Sequence, residues 1–153
     1  MNVRHTVTLI LVAALMSGTH VAADSLGCAP GLAARSSDQV MNDHFAALLS
    51  GDLDLILCDY SPDAAVVAPG SVISGPDEIR AFYAQIFSQM GGPATLGLVS
   101  LTFSPINPSR SIVLLEWNLD SPHLEVGDGT DSFLIVNGKI QQHTIKLAGV
   151  MVK

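Results

Sequence analysis

The residues best suited to chemistry in this sequence are Asp131 and His44, because each interrupts an otherwise apolar pattern. Asp131 lies two residues before Phe133 on the predicted buried face of a strand, and His44 borders the apolar stripe of a predicted helix. A carboxylate in such a place must be solvated, hydrogen-bonded or kept neutral. Desolvated carboxyl and imidazole groups exchange protons near neutral pH, so this pair predicts proton-transfer chemistry.

Structural roles are the alternative for both residues. Asp131 could be held by Thr144 across a strand pair or by a backbone amide, and His44 could be a hydrogen-bonded residue of the core or its rim. The sequence leaves both interpretations open.

The predicted register of the last hairpin separates Asp131 from His143. Two apolar runs are joined by Asn137-Gly138, which favours a two-residue turn. Counting outwards from that turn pairs Phe133 with Gln142 and Asp131 with Thr144, because side chains alternate between the two faces. His143 then lies on the opposite face from Asp131, and we expect a structural role for it unless a bulge intervenes.

Large aromatic side chains are the candidates for contact with an apolar ligand, although such residues are more often part of a core. They are Phe45, Tyr60, Tyr83, Trp117 and Phe133. Glu116 is either a second carboxylate of the pocket or a residue that faces outwards. The acidic residues near His123 match neither a calcium loop nor a zinc pattern, so we expect no metal and no other cofactor.

The elements that position these residues are predicted from their termini. Ser36 opens a capping box before a helix that runs to about Ser50. Asp52 caps a second helix, Leu53–Tyr60, and a third helix begins at Gly75-Pro76. Helices followed by a strand meander predict an α+β fold with one core. The predicted strands are 64–68, 95–103, 111–119, 129–136 and 139–148.

The strand at 111–119 is apolar on both faces apart from Glu116 and Asn118, so both of its faces should be covered. Helices would cover one face. A second copy of the chain would cover the other, and we therefore expect a homodimer.

The first 23 residues have the features of a signal peptide. Arg4 and His5 precede an apolar run, and Val21-Ala22-Ala23 offers a cleavage site of small residues. A membrane anchor is the alternative, although the run is short for a membrane span. We expect a lead at 24–35 and a single domain at 36–153, in a secreted or periplasmic protein that has no membrane contact after cleavage.

An exported chain can keep a disulfide, and we expect Cys28 and Cys58 to pair, with two free thiols as the alternative. Removal of residues 1–23, in which Arg4 is the only charged residue, changes the net charge from −7 to −8. This charge argues against nucleic acid as a partner.

Several short motifs recur in the order and spacing of one known superfamily. They are Gly51-Asp52-Leu53-Asp54, Asp63-Ala64, Pro69-Gly70-Ser71, Ile79-Arg80, Phe82-Tyr83-Ala84, Asp131 with Phe133, and Asn137-Gly138-Lys139-Ile140. With these motifs the sequence resembles the nuclear transport factor two-like superfamily, in particular ketosteroid isomerases and SnoaL-like polyketide cyclases. The resemblance implies a cone-shaped, curved antiparallel sheet wrapped around N-terminal helices, a cystatin-like roll with an apolar pocket.

The resemblance places Asp131 on the protonated Asp of ketosteroid isomerases and His44 on their Tyr. Their base position falls near Ala68, where no side chain can accept a proton. The polyketide cyclases carry a His-Trp-Asp run on the last strand, and here that run reads His143-Thr144-Ile145. The resemblance therefore implies a small apolar ligand, with isomerase-like, cyclase-like or hydrolase-like proton transfer through Asp131 and His44. A non-catalytic homodimeric interaction or ligand-binding module is the alternative.

Overall fold

The computed structural model describes residues 27–153, so the predicted signal peptide and the beginning of the lead lie outside the described residues. The described chain has the predicted α+β fold, in which helices pack on one face of a six-stranded sheet. No helix within residues 27–153 is both long and apolar enough to cross a membrane. The elements are α1 (Ser37–Ser50), α2 (Leu53–Asp59), β1 (Tyr60–Ala68), β2 (Ser71–Ser74), α3 (Gly75–Met90), β3 (Thr95–Asn107), β4 (Arg110–Asp120), β5 (Leu124–Val136) and β6 (Lys139–Val152).

The helix termini use the capping residues that the sequence predicts. The Ser36 side chain accepts from the Gln39 N–H while the Gln39 side chain accepts from the Ser36 N–H, so the capping box of α1 is complete. Asp52 accepts two backbone N–H groups at the start of α2. The second helix ends at Asp59, one residue earlier than predicted, and Tyr60 begins β1 instead. Asp59 and Tyr60 therefore lie at a helix-to-strand junction.

The sheet has the strand order β2-β1-β6-β5-β4-β3. All neighbouring strands are antiparallel except β1 and β6, which are parallel, so the sheet is mixed. It is curved and does not close into a barrel. The parallel pairing sets Tyr60, at the start of β1, beside Ile140 of β6.

The β5–β6 hairpin contains one bulge that changes its register. Asn137 and Gly138 both have positive φ, 49° and 67°, as a type I′ turn requires, and Ile135 pairs with Ile140 as predicted. Leu134 then pairs with Gln142, which leaves Gln141 as the extra residue on β6. The predicted pairing of Phe133 with Gln142, and of Asp131 with Thr144, is therefore wrong.

The main core lies between the helices and the concave face of the sheet. Fully buried side chains from α1, α2 and α3, including Met41, Ile56 and Ile79, pack with Phe133 and Ile140 of the sheet. A smaller apolar cluster of Met90, Leu124 and Val126 lies separately. Trp117, Ile86 and Phe87 pack against both clusters, and a cavity is lined by residues of both.

The lead is docked on the domain by the predicted disulfide between Cys28 and Cys58, which is present. The two cysteines are 30 positions apart in the sequence, and a cross-link of this span stabilises a fold by about 3–4 kcal/mol in the chain-entropy model. The lead then crosses the hairpin turn so closely that a Cβ on Gly138 would lie 2.5 Å from the Leu32 carbonyl oxygen. Gly138 is therefore required by both the turn and the lead.

Candidate functional site

A cavity of about 540 Å³ lies between the helices and the concave face of the sheet. Cavities that bind small organic molecules span roughly 300–1,000 Å³. Its lining comes from α1, α3 and the inner faces of the strands and is predominantly apolar. The lining includes Phe45, Leu48, Ala68, Phe82, Ile86, Phe87, Leu115, Trp117, Phe133 and Ile145.

Asp131 and His143 form a buried pair in the wall of this cavity. His143 Nε2 lies 3.1 Å from Asp131 Oδ2, and the two side chains are 4% and 9% exposed. The imidazole also stacks on Phe133, with ring centroids 4.2 Å apart. The expectation that His143 lies on the opposite face from Asp131 is wrong, because the bulge at Gln141 turns His143 inwards.

Two tyrosines continue this contact into the core behind the cavity. The Tyr60 hydroxyl lies 2.8 Å from His143 Nδ1 and 2.7 Å from the Tyr83 hydroxyl. The Tyr83 hydroxyl in turn lies 3.5 Å from Nε2 of His44, which is fully buried. His44 and Asp131, the two residues predicted to act together, do not pair directly, but this row of side chains joins them.

The far end of the row is a second carboxylate–histidine pair. His44 Nδ1 lies 3.4 Å from Asp59 Oδ2, and the guanidinium of Arg35 donates to Asp59 Oδ1 at 2.7 Å. Arg35 also donates to exposed Asp43 at 2.7 Å and to the Gly138 carbonyl at 3.0 Å. We call Asp131, His143, Tyr60, Tyr83, His44 and Asp59 the buried polar row.

Burial sets the protonation of the middle of the row. It raises the pKa of Tyr60 well above its usual value, and the neighbouring Tyr83 raises it further. Burial likewise raises the pKa of Tyr83. Burial lowers the pKa of His143, although Asp131 partly offsets the effect. Both tyrosines therefore stay as O–H donors at neutral pH, and His143 is a neutral imidazole.

The aromatic residues predicted to contact a ligand do not all line the cavity. Phe45, Tyr83, Trp117 and Phe133 line the cavity, as do His44 and Asp131. Tyr60 does not line it but lies behind it, beside a smaller cavity next to the disulfide.

Two adjacent residues of β4 face opposite sides of the sheet. Trp117 faces inwards over Gly129, where a Cβ would lie 2.3 Å from the indole ring. Glu116 is exposed on the outer face and accepts from Ser100. The carboxylate of Glu116 is therefore not part of the cavity.

Sequence reasoning missed Asp59 and Arg35 and gave His143 the wrong face. The adjacent polar residues Gln141 and Gln142 were a signal for the bulge, because they break the alternation of the strand at that point. Arg35 lies in an irregular lead with no periodic pattern, so nothing near it in the sequence indicates a partner 24 residues away.

The fold is shared with solved structures of low sequence identity. A candidate aromatic ring hydroxylase from Novosphingobium aromaticivorans has a TM-score of 0.64 and 17% identity over 76% of this chain and 90% of that one. A ketosteroid isomerase-like protein from Erwinia carotovora atroseptica has a TM-score of 0.59 and 12% identity over 73% and 93%. A candidate polyketide cyclase from Sinorhizobium meliloti has a TM-score of 0.55 and 21% identity over 71% and 94%.

The chain has the nuclear transport factor two-like fold. No protein-family model and no curated protein matches the sequence. In this nuclear transport factor two-like domain Ala68 of β1 and Asp131 of β5 both line the cavity.

Proposed function

We propose that the protein binds a small, mostly apolar molecule in the cavity and exchanges a proton with the polar end of that molecule. The observation that carries this proposal is the Asp131–His143 pair, buried in the wall of a large apolar cavity. An apolar lining supplies affinity through the hydrophobic effect, and a few polar groups fix the orientation of the ligand.

Asp131 is the group that meets the ligand. One of its oxygens faces His143, and Oδ1 has no hydrogen-bond partner within residues 27–153. A buried acceptor of this kind is costly unless a ligand group donates to it. The ligand therefore carries a hydroxyl, an amine or an acidic C–H near Asp131. His143 orients the carboxylate and His44 lines the same cavity, so isomerisation, cyclisation and hydrolysis are the reaction types that this arrangement serves.

Removal of the Asp131 carboxylate tests this proposal. Native mass spectrometry of the protein purified without denaturant should show a bound small molecule, and Asp131→Asn should lower the retained fraction at least tenfold. Glu116→Gln is the matched control, because it removes a carboxylate from the outer face of the neighbouring strand. A variant Asp131→Asn that retains the molecule and loses only stability would contradict a role in the site.

A second candidate function is a non-catalytic homodimeric module. Ile112 and Leu114 of β4 are 45% and 40% exposed on the outer face of the sheet. Leu134 of β5 pairs with Ile112 and extends the apolar patch. The absence of a carboxylate at Ala68 also favours this candidate. A wild-type protein that retains no small molecule and forms a dimer would support it.

Export belongs to the same proposal. The Cys28–Cys58 disulfide forms and persists in oxidising compartments, which is compatible with a secreted or periplasmic protein. The signal peptide at 1–23 remains a prediction from the sequence.

A further inference from the structure

Asp59 is, like Asp131, a buried carboxylate of the described fold, and the proposed function gives it no role. It is 2% exposed and follows Cys58 directly in the chain. Its Oδ1 accepts from Arg35, and its Oδ2 faces His44 Nδ1. Neither His44 Nδ1 nor Asp59 Oδ2 has a hydrogen-bond partner among residues 27–153, and these two atoms lie 3.4 Å apart. One of them must carry a proton, because two buried acceptors that face each other are costly.

The contacts of the buried polar row differ in length. Its six groups make six contacts, because the Tyr83 hydroxyl also lies 3.5 Å from His143 Nδ1, and each phenol supplies one proton. The short contacts join Tyr83 to Tyr60 at 2.7 Å and Tyr60 to His143 at 2.8 Å. Two longer contacts, both of 3.5 Å, join the Tyr83 hydroxyl to His44 Nε2 and to His143 Nδ1.

The contacts of Asp59 select the tautomer of His44. A proton on His44 Nδ1 would lie between this atom and Asp59 Oδ2, and Nε2 then has no proton and can accept from the Tyr83 hydroxyl. An Nε2 proton on a neutral His44 would leave Nδ1 and Oδ2, two acceptors, facing each other in a buried site, which is costly.

The lead keeps this arrangement in place. Arg35 is nearly buried and is anchored by donation to the carbonyls of Leu32 and Gly138, while the disulfide fastens the other end of the lead beside Asp59. Because a guanidinium is only a donor, Asp59 must present an acceptor oxygen to it and keeps the other oxygen towards His44.

We propose that Arg35 and Asp59 are positioning residues of the site, which hold His44 with its proton on Nδ1 and leave Nε2 as an acceptor towards the Tyr83 hydroxyl. Asp131 and His44 both line the cavity. A proton that leaves the ligand is accepted at Asp131, and His44 Nε2 accepts from Tyr83 inside the row. This consequence for the ligand rests on the proposed function, whereas the tautomer of His44 does not.

The tautomers can be read from the ¹⁵N chemical shifts of the two buried imidazoles in ligand-free protein. At about pH 8, above the ordinary titration range of histidine, the wild type should show His44 protonated on Nδ1 and not on Nε2. In Asp59→Asn the amide oxygen must still accept from Arg35, so its NH₂ group turns to His44 Nδ1. His44 should then carry its proton on Nε2.

Asp43→Asn is the matched control, because Asp43 contacts the same guanidinium but is 54% exposed. It should leave both tautomers as in the wild type. A wild-type His44 with a proton on Nε2 would overturn the proposal even if Asp59→Asn does not fold, as would a folded Asp59→Asn variant with an unchanged His44 tautomer. A protein that binds no ligand would contradict the proposed function but leave the tautomer result standing.

Discussion

The contact between Asp131 and His143 is the residue-scale feature on which the site depends. A carboxyl group that is 9% exposed among apolar side chains needs a polar partner, and His143 Nε2 lies 3.1 Å from it. Removal of one partner leaves the other buried and unpaired, which costs about 1–3 kcal/mol. The pair is therefore a structural requirement of the core as well as the polar end of the cavity.

The pH dependence of stability should report the burial of His143. Its pKa is lowered in the folded protein by burial, so between that lowered pKa and the ordinary value of 6.5 the unfolded chain binds a proton that the folded chain does not. The stability contributed by neutral His143 is fully present above about pH 6.5 and is lost as the pH falls. Denaturant unfolding between about pH 5 and 7.5 should show this loss.

The variant His143→Gln should flatten that pH profile, by up to about 1.4 kcal/mol per pH unit for one proton. His123→Gln is the control, because His123 is exposed and its profile should match the wild type. Equal slopes in the wild type and in His143→Gln would show that His143 does not stay neutral in the folded protein.

At the scale of elements, the helices and the hairpin turn could be predicted from local sequence. The capping box at Ser36, the Asp52 cap and Asn137-Gly138 each satisfy backbone groups within a few residues, so their effect is visible in the sequence. The α+β order and the Cys28–Cys58 bridge were predictable for similar reasons.

The parallel pairing of β1 with β6, the bulge at Gln141 and the Arg35–Asp59 ion pair were not predicted. Each arises from contacts between segments far apart in sequence, or from the choice between two registers of similar local energy. The candidate site was therefore predicted only in part: Asp131 and His44 line the cavity, but their partners were missed.

The apolar patch on the outer face of the sheet predicts a dimer interface. If a second copy of the chain packs on Ile112 and Leu114, sedimentation should show a wild-type dimer. Leu114→Lys should then dissociate the dimer, because it places a charge in an apolar interface. Val72→Lys, at a 66% exposed position on β2, should leave the dimer intact. A monomeric wild type would contradict the homodimer.

At the scale of the whole molecule, the cavity results from two apolar clusters that do not merge. Helices α1 and α3 lie over the curved sheet, and the main core and the smaller cluster around Met90 leave about 540 Å³ between them. An open apolar cavity of this volume matches the size and lining of small-molecule sites. The cavity in the described fold is therefore a second reason, beside the Asp131–His143 pair, to assign a ligand.

Filling the cavity tests this central claim most directly. Ala68→Phe extends a ring into the cavity from β1, whereas Ala65→Phe makes the same change on the other face of that strand. With Nile red as a neutral apolar probe, fluorescence titration should show binding by the wild type and by Ala65→Phe, and at least tenfold weaker binding by folded Ala68→Phe. Equal binding by all three proteins, or none by the wild type, would contradict a ligand-binding cavity.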